Sequence, residues 1–244
     1  MRVQSEASIR NASITAGVGL LLMSALSGFG NFVAVVGLVT QRDAAQTAKD
    51  ITASEGMFRF GILSLLLVIA LDVVVALALY RVFNPVSESI SMLAAALRLV
   101  YAGVFMVAIG QLLGVLRILS LSNDGYLSVF SADQLHAQAL LRINAFTDLW
   151  HAGLLLFGLH LLVIGYLAYR SGYVPRLLGV LLAIAGLGYA TDTFGVVLSQ
   201  GTWTDVSSFT FVGEFLLALW LVIWGRRLTL SESERTTKDA AVAR

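Results

Sequence analysis

Six apolar stretches, near residues 14 to 39, 58 to 81, 89 to 119, 144 to 169, 176 to 198 and 208 to 228, set the terms on which this chain can fold. At about 1.5 Å per helical residue, each is long enough to cross a hydrocarbon layer of about 30 Å. A backbone in such a layer has no water to bond with, so each stretch must satisfy its own N–H and C=O groups as an α-helix. The composition agrees: 58% of the residues are hydrophobic, 13% are charged and the mean hydropathy is +0.84, too little charge to cover a water-soluble domain. The expectation is all-α: a six-transmembrane-helix bundle forming one domain over residues 1–230, inserted in a bacterial cytoplasmic membrane. A charged tail, residues 231–244, has no apolar period and is read as disordered. The first stretch is too long for a signal-peptide core and no small-residue cleavage site closes it, so it counts as a span.

Basic residues give the orientation. With six spans, Arg2, Arg10, Arg81, Arg170, Arg176, Arg226, Arg227, Arg235, Lys238 and Arg244 fall on one side and Arg42, Lys49, Arg59, Arg117 and Arg142 on the other. Lys and Arg concentrate on the cytoplasmic side of membrane proteins, so both termini are expected there. The cytoplasmic turns, at Asn84-Pro85 and Ser171-Gly172-Tyr173, are then tight, and the outer loops at 40–57 and 120–143 are long and polar.

Several chemistries are excluded. A formal net charge of +1 offers no basic stripe for a phosphate backbone, so no nucleic-acid partner is expected. With no cysteine there is no disulfide, thiolate nucleophile or Cys-type metal site. His151 and His160, nine residues apart, fall on opposite faces of one helix at about 100° per residue. They cannot clamp one metal or haem, and no HExxH spacing occurs. No cofactor and no metal are expected; the partners are the lipid bilayer, a small solute or cation and, as an open question, further copies of the chain.

The polar residues inside the spans carry most of the functional information. Asp72 interrupts the apolar run LLLVIALDVVVALALYR at 65–81, and Arg98 interrupts the next span. Each lies thirteen residues from Pro85, so on an antiparallel hairpin the two share one depth. A lone charge there costs about 3 kcal/mol on insertion scales, and pairing is the economical solution. The pair has two readings: a lock on the register of two helices, or a coupling or ligand-binding pair. His160 falls near the same depth, as a satisfied hydrogen-bonding residue or as part of the same layer.

A second layer lies nearer the outside. Asn144, Asp148 and His151 recur at helical spacing on the fourth span, Ala185, Gly188, Asp192 and Gly195 on the fifth, and Ser207, Thr210 and Glu214 on the sixth. His151, Asp192 and Glu214 are thereby expected at comparable depth facing one lumen, with Asp148 and Gln111 nearby, as a candidate ligand, proton or cation site. The plainer alternative, polar residues meeting interfacial water, suits Asp148 better than Glu214, which has FTFVG before it and FLLALWLVIW after. Small residues elsewhere and the four tryptophans are read as helix packing and interfacial anchors.

LALYRVFNP at 77–85 and YLAYRSGYVP at 166–175 each end a span with Tyr-Arg and turn through a proline, either because hairpins at a membrane surface favour these residues or because helices two-three and four-five form a parallel repeat. FGLHLLVIGYLAYRSGYVPRLLGVLLAIAGLGY at 157–189, with ALYRVFNP, AAALRLVYAG and GEFLLALWLVIWG at 213–225, resembles the bacterial integral membrane proteins called domain of unknown function 4386. The resemblance implies a six-span membrane protein and brings no reaction, cofactor or catalytic residue. Three function classes remain: a small-solute or proton-linked transporter or channel-like protein, favoured by the two polar layers; a sensor or assembly scaffold whose polar residues are structural; and an enzyme on a lipid substrate, disfavoured because no nucleophile and base are paired.

Overall fold

The computed structural model describes residues 6–120, 125, 127–199, 203, 206 and 212–225. Among them there are helices and turns and no strand. Helix α1 covers Glu6–Ser27, α2 Ala44–Ala53, α3 Glu55–Phe83, α4 Glu88–Ser120, α5 Ala132–Arg170, α6 Arg176–Leu198 and α7 Val212–Ile223. Five helical stretches, Ser8–Leu38, α3, α4, α5 and α6, are long and apolar enough to cross a membrane. Helix α7 is apolar and has twelve described residues, about 18 Å; the residues just before it, 207–211, are not described, and Trp224 and Gly225 follow it. The proposed tail at 231–244, and Ser207 and Thr210, lie outside the described residues.

The helices other than α2 pack as a closed ring, in which α1 touches α3, α3 touches α4, and so on through α5 and α6 to α7, which returns to α1. Neighbours run antiparallel, and the ring closes where the Ser13 hydroxyl donates to the Leu221 carbonyl at 3.3 Å. The chain therefore enters and leaves the ring at one end, the end that also carries the turns at Pro85 and Gly172. There the Tyr173 hydroxyl donates to the Val82 carbonyl at 2.6 Å and its ring stacks on Phe83, joining the two turns. Leu63, Leu67, Leu77, Val100, Val107 and Leu177 are among the large apolar side chains left exposed on the outside, an apolar belt that suits lipid rather than water.

Glycines set how closely some neighbours approach. Gly158 and Gly186 are each fourteen residues from Gly172, and Gly165 and Gly179 each seven, so the α5–α6 hairpin brings them together in pairs. A Cβ on Gly158 would lie 2.6 Å from the Gly186 carbonyl oxygen, and one on Gly165 2.7 Å from that of Gly179. Only hydrogen fits at those crossings, the means by which helices in lipid gain van der Waals contact. Gly172 itself has φ of +73°, a conformation the turn needs and a side chain would resist.

The ends differ from the expected pattern in three places, each with a local cause. The loop expected at 40–57 contains α2, started by the Asp43 side chain accepting from Gln46 N, with Ala48 and Ile51 on its buried face. The loop expected at 120–143 gives way to α5 at residue 132: Ser131 and Gln134 form a reciprocal capping box, and Leu135, Ala139, Ile143 and Phe146 continue a buried stripe into the span. The first span is not one regular helix. After Ser27 it passes into a wide π-helical turn, Gly28–Val33, where Gly30 fits against Leu65 and Gly61 of α3.

Candidate functional site

The middle of the ring is held by one arginine. Arg98, on α4, is 1% exposed, and its Nη2 lies 2.8 Å from Oδ1 of Asp72 on α3. Nη1 lies 3.2 Å from Nε2 of His160 on α5, and Nη2 also reaches Met23 Sδ on α1 at 3.7 Å. The guanidinium stands over the Phe157 ring, 5.4 Å from its centroid. Four helices of the ring are thus tied to a single side chain. The guanidinium can only donate and the Ala94 carbonyl, 2.8 Å from Nδ1 of His160, can only accept. The ring therefore accepts at Nε2 and carries its proton on Nδ1.

Above this layer, towards the end of the bundle opposite the two turns, is a cavity of about 480 Å³ to which each of the six ring helices contributes. Its polar lining comprises Ser24, Ser27, Asn31, Asp72, Arg98, Tyr101, Trp150, His151, Tyr189 and Glu214, and the rest is aromatic or aliphatic. Three exposed side chains line it, Ser24, Phe32 (69%) and Phe215 (43%), all on α1, its π turn and α7. The cavity therefore meets the protein surface along the seam where the last helix joins the first.

Glu214 lies in the first turn of α7 and lines this space. Its side-chain partner is the Tyr189 hydroxyl of α6, while Oε1 is buried without a protein partner. His151 reaches the cavity from α5 with Nδ1 buried and likewise unpartnered. The deeper pair also keeps bonding capacity, since Asp72 Oδ2 and Arg98 Nε have no hydrogen-bond partner among the described residues. Buried polar atoms are nearly always bonded, so these four atoms, on the cavity and the ion pair at its floor, keep hydrogen-bonding capacity for water or another polar group. The aromatic wall is itself cross-braced: Trp150 Nε1 donates to the Tyr101 hydroxyl at 3.2 Å, and Phe105 stacks on Trp150 with centroids 5.3 Å apart.

The residues singled out in the sequence are distributed unevenly around this cavity. Asp72, Arg98, His151 and Glu214 line it, and His160 supports Arg98 from behind. Asp192 does not line it. Its Oδ1 accepts from Trp203 Nε1 at 3.0 Å and from Val206 N at 2.7 Å, so the carboxylate gathers the α6–α7 connection onto the end of α6. Asp148 is exposed, and Gln111 accepts from Arg142 Nη1 at 2.9 Å on the outer flank of α4 and α5. No group of three or more His, Cys, Asp or Glu side chains placed to hold a metal ion occurs among the described residues.

Sequence reasoning passed over Asn31, Tyr101 and Tyr189, which line the cavity, and assigned Trp150 to packing or an interfacial belt. Tyr101 follows Arg98 by three residues and so shares its face, a signal the spacing contained. Asn31 is placed by the π turn, which no periodicity announces.

Comparison with known sequences fits this architecture. The profile of the family Domain of unknown function (DUF4386) matches residues 15–225. The chain belongs to this family. An uncharacterized protein of Archaeoglobus fulgidus is 36% identical over 170 residues, covering 70% of this chain and 86% of the relative. No solved structure matches. For the DUF4386 family the match runs from α1 into α7, so the six helices that build the cavity fall within it almost entirely.

Proposed function

We propose that this protein is a carrier or channel-like transporter for a small solute, with the central cavity as its binding site. The observation that supports this reading is the convergence of all six ring helices on one space of about 480 Å³ whose polar atoms are incompletely bonded. Cavities between helices, largely apolar with a few placed polar groups, are where bundles bind small ligands. A scaffold has no use for such a space; it would fill the bundle with side chains. On this reading the chain has six spans, α7 being the short described part of the sixth, and lies in a bacterial cytoplasmic membrane. Both termini face the cytoplasm, from the distribution of Lys and Arg. The cavity then opens towards the outer half of the membrane. Glu214 and His151 are the titratable groups through which solute movement can be linked to protons.

A second reading has one observation in its favour. The mouth between α1 and α7 faces sideways, as an enzyme drawing its substrate from lipid would require. Against it, the aliphatic hydroxyls of the cavity, Ser24 and Ser27, donate to the backbone carbonyls of Leu20 and Ser24 rather than to a base, and the one cavity hydroxyl bonded to a carboxyl is the phenol of Tyr189 on Glu214.

The experiment is uptake by purified protein in sealed vesicles, measured across a panel of labelled solutes with and without a pH gradient and paired with thermal unfolding against the same panel. Saturable uptake that empty vesicles lack supports transport. Stabilisation by a solute that is never moved, or its chemical conversion, overturns transport in favour of a receptor or an enzyme.

A further inference from the structure

The charges around the cavity do not cancel, and the remainder indicates what the site accepts. Two carboxylates line the space, Asp72 and Glu214, and one guanidinium, Arg98. Arg98 is committed to Asp72 at 2.8 Å, and its other Nη is held by His160, so its charge is compensated at the floor. Glu214 has no cationic partner among the described residues. Its neighbour is the neutral Tyr189 hydroxyl, and Oε1 is unmatched. Phe105, Trp150, Phe157 and Phe215 are among the aromatic residues that line the same cavity.

The aromatic side chains supply the second half of the argument. Tyr101, Phe105, Trp150, Phe157 and Tyr189 all line the cavity. They contact one another as a continuous chain, with Tyr101–Phe157 centroids 4.9 Å apart, Phe157–Tyr189 5.4 Å and Phe105–Trp150 5.3 Å. Aromatic faces carry partial negative charge and attract cations, most strongly where water is scarce. One such contact is already used, by Arg98 over Phe157. A weakly hydrated cation is the guest that an uncompensated carboxylate and a set of π faces favour together. A strongly hydrated metal ion would instead want several charged ligands converging on one point, and no group of three or more His, Asp or Glu side chains so placed occurs among the described residues.

We infer that the cavity binds an amphiphilic organic monocation, its charged centre between the Glu214 carboxylate and the aromatic faces and its apolar body among the aliphatic side chains towards the α1–α7 seam. The exposed Phe32 and Phe215 at the mouth suit a ligand that arrives dissolved in the membrane rather than in water. This inference rests on the cavity being a binding site and names the class of its ligand.

The test compares two ions of the same shape and opposite charge, tetraphenylphosphonium and tetraphenylborate, binding to the full chain in lipid nanodiscs. Binding is read by quenching of tryptophan fluorescence, with empty nanodiscs subtracted. The wild type should bind the phosphonium at least tenfold more tightly than the borate. Glu214→Gln should lower phosphonium affinity by at least tenfold while borate binding is unchanged or strengthened. Equal affinities in the wild type, or a preference for the borate, overturn the inference, and that comparison needs no variant to fold. A folded Glu214→Gln that keeps the full phosphonium affinity overturns it as well. Uptake or stabilisation by neutral or anionic solutes, with tetraphenylphosphonium ignored, sinks the cation and leaves the transporter standing. Phosphonium binding without any uptake does the opposite.

Discussion

Asp72 and Arg98 meet at 2.8 Å on adjacent antiparallel helices, each thirteen residues from Pro85, and both are almost completely buried. Removing either charge strands the other. Asp72→Asn and Arg98→Gln should each destabilise the protein by about 3 kcal/mol or more, and the double variant should recover much of the loss. Unfolding of the three variants and the wild type in one detergent measures the coupling; simple additivity would show that the contact contributes nothing.

His160 uses its two nitrogens for unequal tasks, accepting from a charged guanidinium at Nε2 and donating to the neutral Ala94 carbonyl at Nδ1. A glutamine amide reaches the first position and an asparagine amide the second. Hydrogen bonds to charged groups contribute about 1.5–3 kcal/mol and neutral ones about 0.5–1.5. His160→Asn should therefore be the more damaging of the two by about 1 kcal/mol, as read from denaturant or thermal midpoints. A larger loss in His160→Gln would reverse the assignment.

Gly158 and Gly186 bring the backbones of α5 and α6 together with no room for a Cβ. Gly186→Ala should cost about 1–3 kcal/mol through displacement of the helices, the usual range for overpacking. Gly103, whose Cβ would meet nothing within 4 Å, provides the control: Gly103→Ala should be neutral or slightly stabilising. Thermal midpoints of the two alanine variants distinguish local crowding from a general intolerance of alanine.

Acid should weaken cation binding in the cavity. Glu214 on α7 faces it and loses its attracting charge when protonated. Asp72 and Arg98 are paired, and Tyr101 and Tyr189 are neutral in their protonated forms. Tetraphenylphosphonium affinity measured between about pH 8 and about pH 5 should fall on acidification. Glu214→Gln should flatten most of that fall, and a wild-type affinity that rises in acid would contradict the arrangement.

Asp192 predicts the converse. Because its carboxylate anchors Trp203 and Val206 rather than the cavity, Asp192→Ala should alter the fluorescence of Trp203 and lower stability while leaving phosphonium affinity within about twofold. Comparison with an Asp192→Ala, Trp203→Phe double variant isolates the signal.

What the sequence disclosed follows from what a helix count can measure. Depth along a hairpin is set by residues counted from the turn, so the common level of Asp72 and Arg98 was readable from Pro85, and the pairing of Gly158 with Gly186 was equally readable from Gly172. Rotation about the helix axis is set by partners that lie far away in the chain. Tyr189 and Asp192, three residues apart on α6, share a face, yet Tyr189 lines the cavity while the Asp192 carboxylate, about 4.5 Å nearer the helix end, accepts from Trp203 and Val206, partners that spacing within α6 does not reveal. Helix α2 and the early start of α5 were concealed by their polar exposed faces, although the buried stripe and the Ser131 cap were present in the sequence. The π turn had no signal of its own; the fit of Gly30 against Gly61 becomes visible only once α1 and α3 are side by side.

Ring closure by α7 also fixes an order of events during biogenesis. The floor of the site, Asp72 with Arg98 and His160, has all its residues once α5 has been made, while Glu214 is carried by α7, the last of the ring helices in chain order. Until then the half-built chamber is a trough open to the bilayer, with its arginine already neutralised and its free carboxylate not yet delivered. A chain truncated before residue 212 should accordingly insert and persist in the membrane as an open bundle without the acidic gatepost, while one lacking Asp72 would carry a bare guanidinium through every later step of assembly.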